Sequence, residues 1–296
     1  MEATRITTKE IQKTQELIDF IKKSPSCYHV IHNIAEELEE AGYEQLNEAK
    51  EWTLRKGGRY FVTRNQSSLI AFTLPEETLG GFLICASHSD SPTFKLKSNY
   101  EMTVDDRYLK LNVEKYGGMI CSTWLDRPLS VAGRVVVNRK DGIESVLVNL
   151  DQDLCLIPNL AIHMNRQINE GYAYNAQKDM LPLLGEGTAK GKLKELLAEA
   201  AGVEEEALLG YDLFLYLREG GRIWGAEQEF YSSPKIDDLQ CAFASKEAFL
   251  QAENTGMSKV LAIFDNEEVG SGTKQGAKST FLSDVLARIQ EGLSLT

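Results

Sequence analysis

Apolar residues recur along this chain at two spacings, and the switches between them mark the elements. Over residues 8–23, Ile11, Leu17, Ile18 and Ile21 share one side of a 3.6-residue period, which predicts an amphipathic helix closed by Pro25. Residues 29–41 repeat the pattern with Ile31, Ile34, Ala35 and Leu38, and Gly42 stands where a helix C-cap is expected. Residues 60–63 and 69–74 are strand-like and flank the polar turn 64–67, a hairpin-type pair. Gly80-Gly81 then punctuates the approach to a continuous apolar run at 82–87, read as a buried strand. Near the other end, 239–252 is amphipathic, 260–264 reads as a buried strand and 279–289 as another helix. Strand and helix in this alternation predict an α/β domain, a mixed sheet covered by helices.

Between these parts the texture differs. Residues 93–97, 108–113, 132–137 and 145–150 are short alternating or β-branched runs separated by turn signals such as Lys140-Asp141-Gly142. A helix at 193–201, capped by Gly202, interrupts them before a strand at 212–217. The expected organisation is a β-rich domain at 93–230 inserted into an α/β domain formed by 1–92 and 231–296. No internal repeat, low-complexity tract or G-x-G-x-x-G nucleotide loop is present.

Composition narrows the partners. Of 296 residues, 43% are hydrophobic and 26% charged, the balance of an ordinary globular protein. A formal charge of −12 argues against nucleic acid or an anionic membrane as partner, since phosphate binding is dominated by Lys and Arg. The apolar runs are too short to span a bilayer, and the N-terminus, Met1 to Arg5, is polar and lacks the look of a signal peptide. Five cysteines (Cys27, Cys85, Cys121, Cys155, Cys241) are odd in number and include no C-x-x-C. They read as buried free thiols in a reducing compartment, so the expected location is cytoplasmic.

Candidate chemistry gathers where apolar runs stop. The 260–264 run ends in Asp265-Asn266-Glu267-Glu268 and then Gly270, a turn on which both glutamates can converge on one site, one as ligand and one as base. The 82–87 run leads into His88-Ser89-Asp90-Ser91-Pro92, where Asp90 can orient the imidazole of His88. A third segment, Ser233-Pro234-Lys235-Ile236-Asp237-Asp238-Leu239, precedes a helix. Each signal alone fits an acidic loop or a structural histidine; three in one chain favour a metal site. His29 and His32 are three apart on a helix but lack the carboxylate of the usual motif, and surface or capping duty is the better reading. If His88, Asp237 and Glu268 meet, one imidazole with carboxylates suits Zn²⁺, Mn²⁺ or Co²⁺, and an Asp can bridge two cations. Glu267 would then have work to do. Taking a proton from bulk water is ~11 pK units uphill for a Glu, or ~15 kcal/mol; a cation that lowers the water's pKa to ~7 leaves ~4 kcal/mol.

Five blocks now stand together: His88-Ser89-Asp90-Ser91-Pro92, Trp124-Leu125-Asp126-Arg127-Pro128-Leu129 with Ala132-Gly133-Arg134, the stretch from Ile157 to Arg166 around His163, Ser233 to Leu239, and Phe264 to Ser271. In content and order they resemble the aspartyl aminopeptidase family of dinuclear zinc exopeptidases. The resemblance implies a catalytic α/β domain interrupted by a β-rich dimerisation domain. It also implies a dimer-based homo-oligomer of tetrahedral type, up to a dodecamer, that removes N-terminal, preferably acidic, residues from peptides with a free N-terminus. It further implies two divalent ions, zinc by family habit: His88 as a ligand of the first with Asp90 orienting it, Asp237 as the bridge, Glu268 as a ligand of the second and Glu267 as general base. His163 falls where the family brings a histidine near a neighbouring subunit's active site, while Asp126 and Arg127 fit an intradomain structural pair. Family members continue beyond the Glu-Glu turn to a further Asp and a final His ligand, whereas this sequence stops at Thr296. The expectation is therefore a truncated chain with impaired activity. A non-catalytic oligomerising fragment, or another two-metal amidohydrolase such as a deacylase or carboxypeptidase, remains as the alternative.

Overall fold

A capping box opens the first helix: Thr7 N donates to Glu10 Oε2 at 2.7 Å while Glu10 N donates to Thr7 Oγ1 at 3.2 Å. From that point the computed structural model, which describes residues 6–253 and 256–293, runs α1 (Thr8–Lys23), α2 (Cys27–Glu40), β1 (Glu44–Leu46), β2 (Arg59–Arg64), β3 (Ser68–Thr73), β4 (Phe82–His88), β5 (Thr93–Val104), β6 (Tyr108–Tyr116), β7 (Leu129–Arg139) and β8 (Gly142–Asn149). It continues with β9 (Leu183–Glu186), α3 (Lys192–Ala201), β10 (Leu208–Leu217), β11 (Arg222–Trp224), β12 (Phe230–Ser232), α4 (Ile236–Gln251), β13 (Ser258–Phe264) and α5 (Phe281–Gly292). The polar N-terminal residues 1–5 and the terminal Thr296 lie outside the described residues. The chain divides into two units, one ending at Ser91 and resuming at Gly221, the other Pro92–Gly220. Residues 221–230, with the short β11, which the sequence pattern assigned to the β-rich stretch, group with the first.

In the first unit a mixed sheet has the order β1-β2-β3-β13-β4, with β13 antiparallel to β3 and parallel to β4. Side chains alternate across it as a two-residue period demands. Phe61, Leu69, Ala71, Leu261 and Ile263 pack with α1, α2 and α4 through Phe20, Ile21, Ile34, Leu38 and Phe243. Tyr60, Val62, Ile70, Phe72, Val260 and Ala262 pack on the opposite face against Phe281, Val285 and Ile289 of α5. The result is a three-layer α/β/α arrangement, the predicted fold class.

One expectation about this sheet fails. The 82–87 run is not a buried strand: β4 is an edge strand, with Leu83 51% and Ile84 47% exposed. An apolar run fits a buried strand but carries no record of whether its outer flank is covered. The thiols also differ from expectation. Cys27 and Cys155 are buried, but Cys85 and Cys241 are exposed, on β4 and α4; all five are free.

The second unit is a six-stranded sheet in the order β8-β7-β10-β5-β6-β9, with neighbouring strands antiparallel throughout, and its core includes α3 through Leu193 and Leu197. Asp126 and Arg127 serve this unit. Arg127 donates to Glu219 Oε2 at 2.7 Å, and Asp126 accepts the Asn159 N–H at 2.8 Å.

Candidate active site

Because β4 and β13 are parallel neighbours with His88 opposite Phe264, their C-terminal ends deliver two polar segments to the same end of one sheet. Ser89 fastens them: its N–H donates to Phe264 O at 2.8 Å, and its hydroxyl to Ser67 O at 2.6 Å. Beyond β13 the chain turns sharply. Asn266 takes a left-handed conformation (φ 62°), which a short polar side chain tolerates, and Gly270 follows at φ 95°. This turn sets Glu267 and Glu268 beside Asp90. The third segment enters from α4, whose regular helix begins only after Asp237 and Asp238, both non-helical.

The three segments meet around the His88 ring. Its Nδ1 lies 3.2 Å from Asp90 Oδ1, and its Nε2 lies 3.3 Å from Asp237 Oδ1, 3.7 Å from Asp238 Oδ2 and 3.9 Å from Glu267 Oε2. Asp90 is buried and has further duties: Oδ1 accepts the Glu267 N–H and Oδ2 the Glu268 N–H, each at 3.2 Å. One carboxylate thus aligns the imidazole and holds the Glu-Glu turn. His88's own N–H donates to Asp238 Oδ2 at 3.1 Å. Toward solvent, Asp237 and Glu267 are 74% and 58% exposed, so an incoming molecule can reach them.

Charge is concentrated and poorly neutralised. Burial works against the imidazolium of His88, but Asp90, Asp238 and Glu267 outweigh it and raise the group to about 9. Burial, followed by repulsion from Asp237 and Asp90, pushes Glu268 up to about 7 against the pull of His88. Behind them Asp265 is buried, and burial with the Asp90 charge lifts it to about 6. Glu268 Oε1 is buried without a hydrogen-bond partner. An orphaned carboxylate oxygen facing like charges suits a cation, and it is the observation by which these residues fit one. Oxygen and imidazole donors from His88, Asp237 and Asp238 lie within 4.8 Å of one another, a span a divalent ion can close.

Every residue singled out in the three motifs is in this cluster: His88, Asp90, Asp237, Glu267 and Glu268. Asp238 is the residue that sequence reasoning overlooked, although its signal, the second member of an Asp-Asp doublet, was in view. His163 is not part of the cluster; it lies on an exposed turn of the second unit. The His29 and His32 pair is also elsewhere. His29 Nδ1 is 2.8 Å from Ser26 Oγ and His32 Nε2 is 3.3 Å from Glu36, the bland duties expected of them.

Comparison with known proteins agrees with this geometry. Residues 20–296 match the aminopeptidase I zinc metalloprotease (M18) family. Relatives named "Probable M18 family aminopeptidase 2" from Clostridium acetobutylicum and Clostridium novyi are 46% and 44% identical over 288 residues; each alignment covers 95% of this chain and 66% of the relative. The chain therefore spans just under two thirds of the length of these relatives. Among solved structures, Chaetomium thermophilum mApe1 superposes with a TM-score of 0.89 at 32% identity, covering 95% of this chain and 68% of that one. Yeast aminopeptidase 1 gives 0.83 at 30%, covering 96% and 67%. With residues 20–296 matched to the family model, and the motifs of this chain folded into one carboxylate-imidazole cluster, this chain belongs to the M18 aminopeptidase I zinc metalloprotease family.

Proposed function

We propose that this chain is a metal-dependent aminopeptidase that holds two divalent cations, zinc in the cell, and removes N-terminal, preferably acidic, residues from peptides. The observation that carries the reading is the convergence of Asp90, Asp237 and Glu267 on the His88 ring from three distant segments, with the Glu268 N–H on Asp90 and Glu268 Oε1 buried without a hydrogen-bond partner among the described residues. In this reading His88, Asp237 and Glu268 would hold the two cations, His88 serving the first, Glu268 the second and Asp237 both, and Asp90 fixes the tautomer and plane of His88. When bound, the cations would supply Lewis acidity. Glu267, exposed and close to His88 Nε2, takes the proton from the attacking water and passes it to the leaving amine. Asp237 and Glu268, with Asp238 behind His88, make the pocket strongly anionic.

Three further points belong to the same proposal. Each cation receives only two of these side chains where catalytic zinc normally has three protein ligands, so turnover by the 296 residues alone is low. The β-rich unit serves dimerisation, and His163 on its exposed turn reaches a neighbouring subunit's site in a dimer-based homo-oligomer; a structure of the S. cerevisiae mApe1 dodecamer is among the similar folds. The working location is cytoplasmic. No helix among the described residues is long and apolar enough to cross a membrane.

Calorimetric titration with Zn²⁺ and hydrolysis of aminoacyl anilides test the reading. Two equivalents of Zn²⁺ bind, and glutamyl and aspartyl anilides are cleaved faster than leucyl. Glu267→Ala lowers the rate about 10²–10⁴-fold while leaving Zn²⁺ uptake intact. Absence of Zn²⁺ binding, or full activity in Glu267→Ala, refutes it.

A further inference from the structure

Lys235 stands two residues before Asp237 and is not part of the cluster around His88. Its backbone is left-handed (φ 57°, ψ 29°), a conformation that a long L side chain avoids unless its surroundings impose it. The surroundings are specific. Nζ is part-buried and donates to Ser24 O at 2.6 Å and Ile21 O at 3.2 Å. Ser24 is the C-cap of α1 and Ile21 lies in its last turn, where Ile21 O also accepts the Ser24 N–H at 3.2 Å, so Nζ meets the last carbonyls of the helix at the negative end of its dipole.

Other contacts bring the same segment onto α1. A Cβ on Gly221 would lie 2.9 Å from Ile18 Cγ1 and 3.0 Å from Ser233, so only glycine lets the chain pass between the helix and the turn. Asn33 Nδ2 ties the α1 end from the other side, donating to Lys23 O at 3.0 Å and Ser24 Oγ at 3.0 Å. Downstream, Tyr231 OH donates to Gln240 Oε1 at 2.7 Å, joining β12 to α4. The segment is thus pegged to α1 at Lys235, and the next residues carry Asp237 Oδ1 and Asp238 Oδ2 to the His88 ring and N–H.

We propose that Lys235 is a positioning residue for the cation site: its two bonds to the C-terminal carbonyls of α1 set where the carboxylates of Asp237 and Asp238 fall relative to His88. The proposal rests on reading Asp237 as a ligand. A lysine that merely caps α1 would stabilise the fold as a whole; a positioning lysine governs one particular juxtaposition.

The two differ in what they move, and the full 296-residue chain can be used for both measurements. Lys235→Met keeps the apolar stem without donors, and Lys235→Arg keeps a cationic donor. With Co²⁺ as probe, followed by visible absorption, Lys235→Met binds at least ten-fold more weakly than wild type and Lys235→Arg within about three-fold. Without metal, hydrogen exchange reports on the His88 N–H, which Asp238 accepts. It speeds up at least ten-fold in Lys235→Met, while the amides of Leu261 and Ala262 in β13 are unchanged. Uniformly faster exchange with unchanged Co²⁺ affinity identifies a capping role only and overturns the proposal, as does an unaltered His88 amide. If wild type takes up no Co²⁺, the metal reading fails, and the His88 amide alone decides the role of Lys235. Should Lys235→Met not fold, Lys235→Gln, with a shorter neutral donor, is read in the same two ways.

Discussion

Asp90 accepts hydrogen bonds from two consecutive backbone N–H groups and faces an imidazole nitrogen, in a place from which water is nearly excluded. Removing its charge should therefore act on several neighbours at once. In Asp90→Asn the amide can still accept on one side, but it turns an N–H₂ toward donors on the other. The expected outcome is a His88 pKa below about 9 by NMR titration, with Zn²⁺ affinity reduced ~10–100-fold, the usual effect of losing a ligand's orienting partner. The pH dependence of the metal-free protein follows from the same residues. His88 is raised from 6.5 to about 9, so its contribution to stability is complete below 6.5 and is lost as pH rises through 9. Glu268 is raised from 4.5 to about 7, so its contribution is complete below 4.5 and is lost as pH rises through 7. Both run in the same direction, and the chelated protein becomes less stable between about pH 5 and 9 as far as these two groups are concerned. Zn²⁺ replaces the lost protons, so it should raise Tm by several degrees at pH 8 and by much less at pH 5, as thermal melts with and without chelator would show.

Elements were legible in proportion to how long their periodicity lasts. The faces of α1 and α2 and the apolar runs of β2, β3 and β13 were plain in the sequence, because each helix buries one stripe and each strand both faces in a core. The three-residue β1, β11 and β12 offer too few positions to show a period, and their strand character comes from pairing partners distant in sequence. The candidate site was legible for another reason. His88 and Glu268 end or follow apolar runs, where polar residues need an explanation, and Asp237 stands just before a helix; Asp238 went unnoticed because a neighbour of the same type already supplied one. What spacing could not supply was the geometry. The parallel pairing of β4 with β13 puts their ends side by side, and pairing across 176 positions is invisible in local pattern. A packing prediction belongs at this scale. Phe281 is fully buried at the start of α5, with the Arg64 guanidinium 4.3 Å above its ring. Phe281→Ala removes the anchor of the helix that covers one sheet face, and urea unfolding should show a loss of about 3–5 kcal/mol.

For the molecule as a whole, the feature that most affects behaviour in solution is the outer flank of β4. Seven residues long, it is paired with a strand on one side only among the described residues, and it exposes about half of Leu83 and of Ile84. Natural sheets blunt such edges with lysine, proline or a bulge; the run Phe82-Leu83-Ile84-Cys85-Ala86 has none of these. Unpaired N–H and C=O groups beside apolar side chains form a template for another strand, and a second copy of the chain offers the same edge. A net charge of −12 opposes association over long range, but at ~0.15 M ionic strength its reach shrinks to about 8 Å. The purified chain is therefore expected to associate with increasing concentration in sedimentation velocity, more so as salt is added. Ile84→Lys places a charge on the edge at a residue already half exposed, so its cost in stability stays within about 0.5 kcal/mol. It should raise the concentration at which association begins by at least ten-fold. Equal association of Ile84→Lys and wild type would move the contact away from β4, to a surface such as the exposed Leu160, Ile162 and Met164 of the second unit.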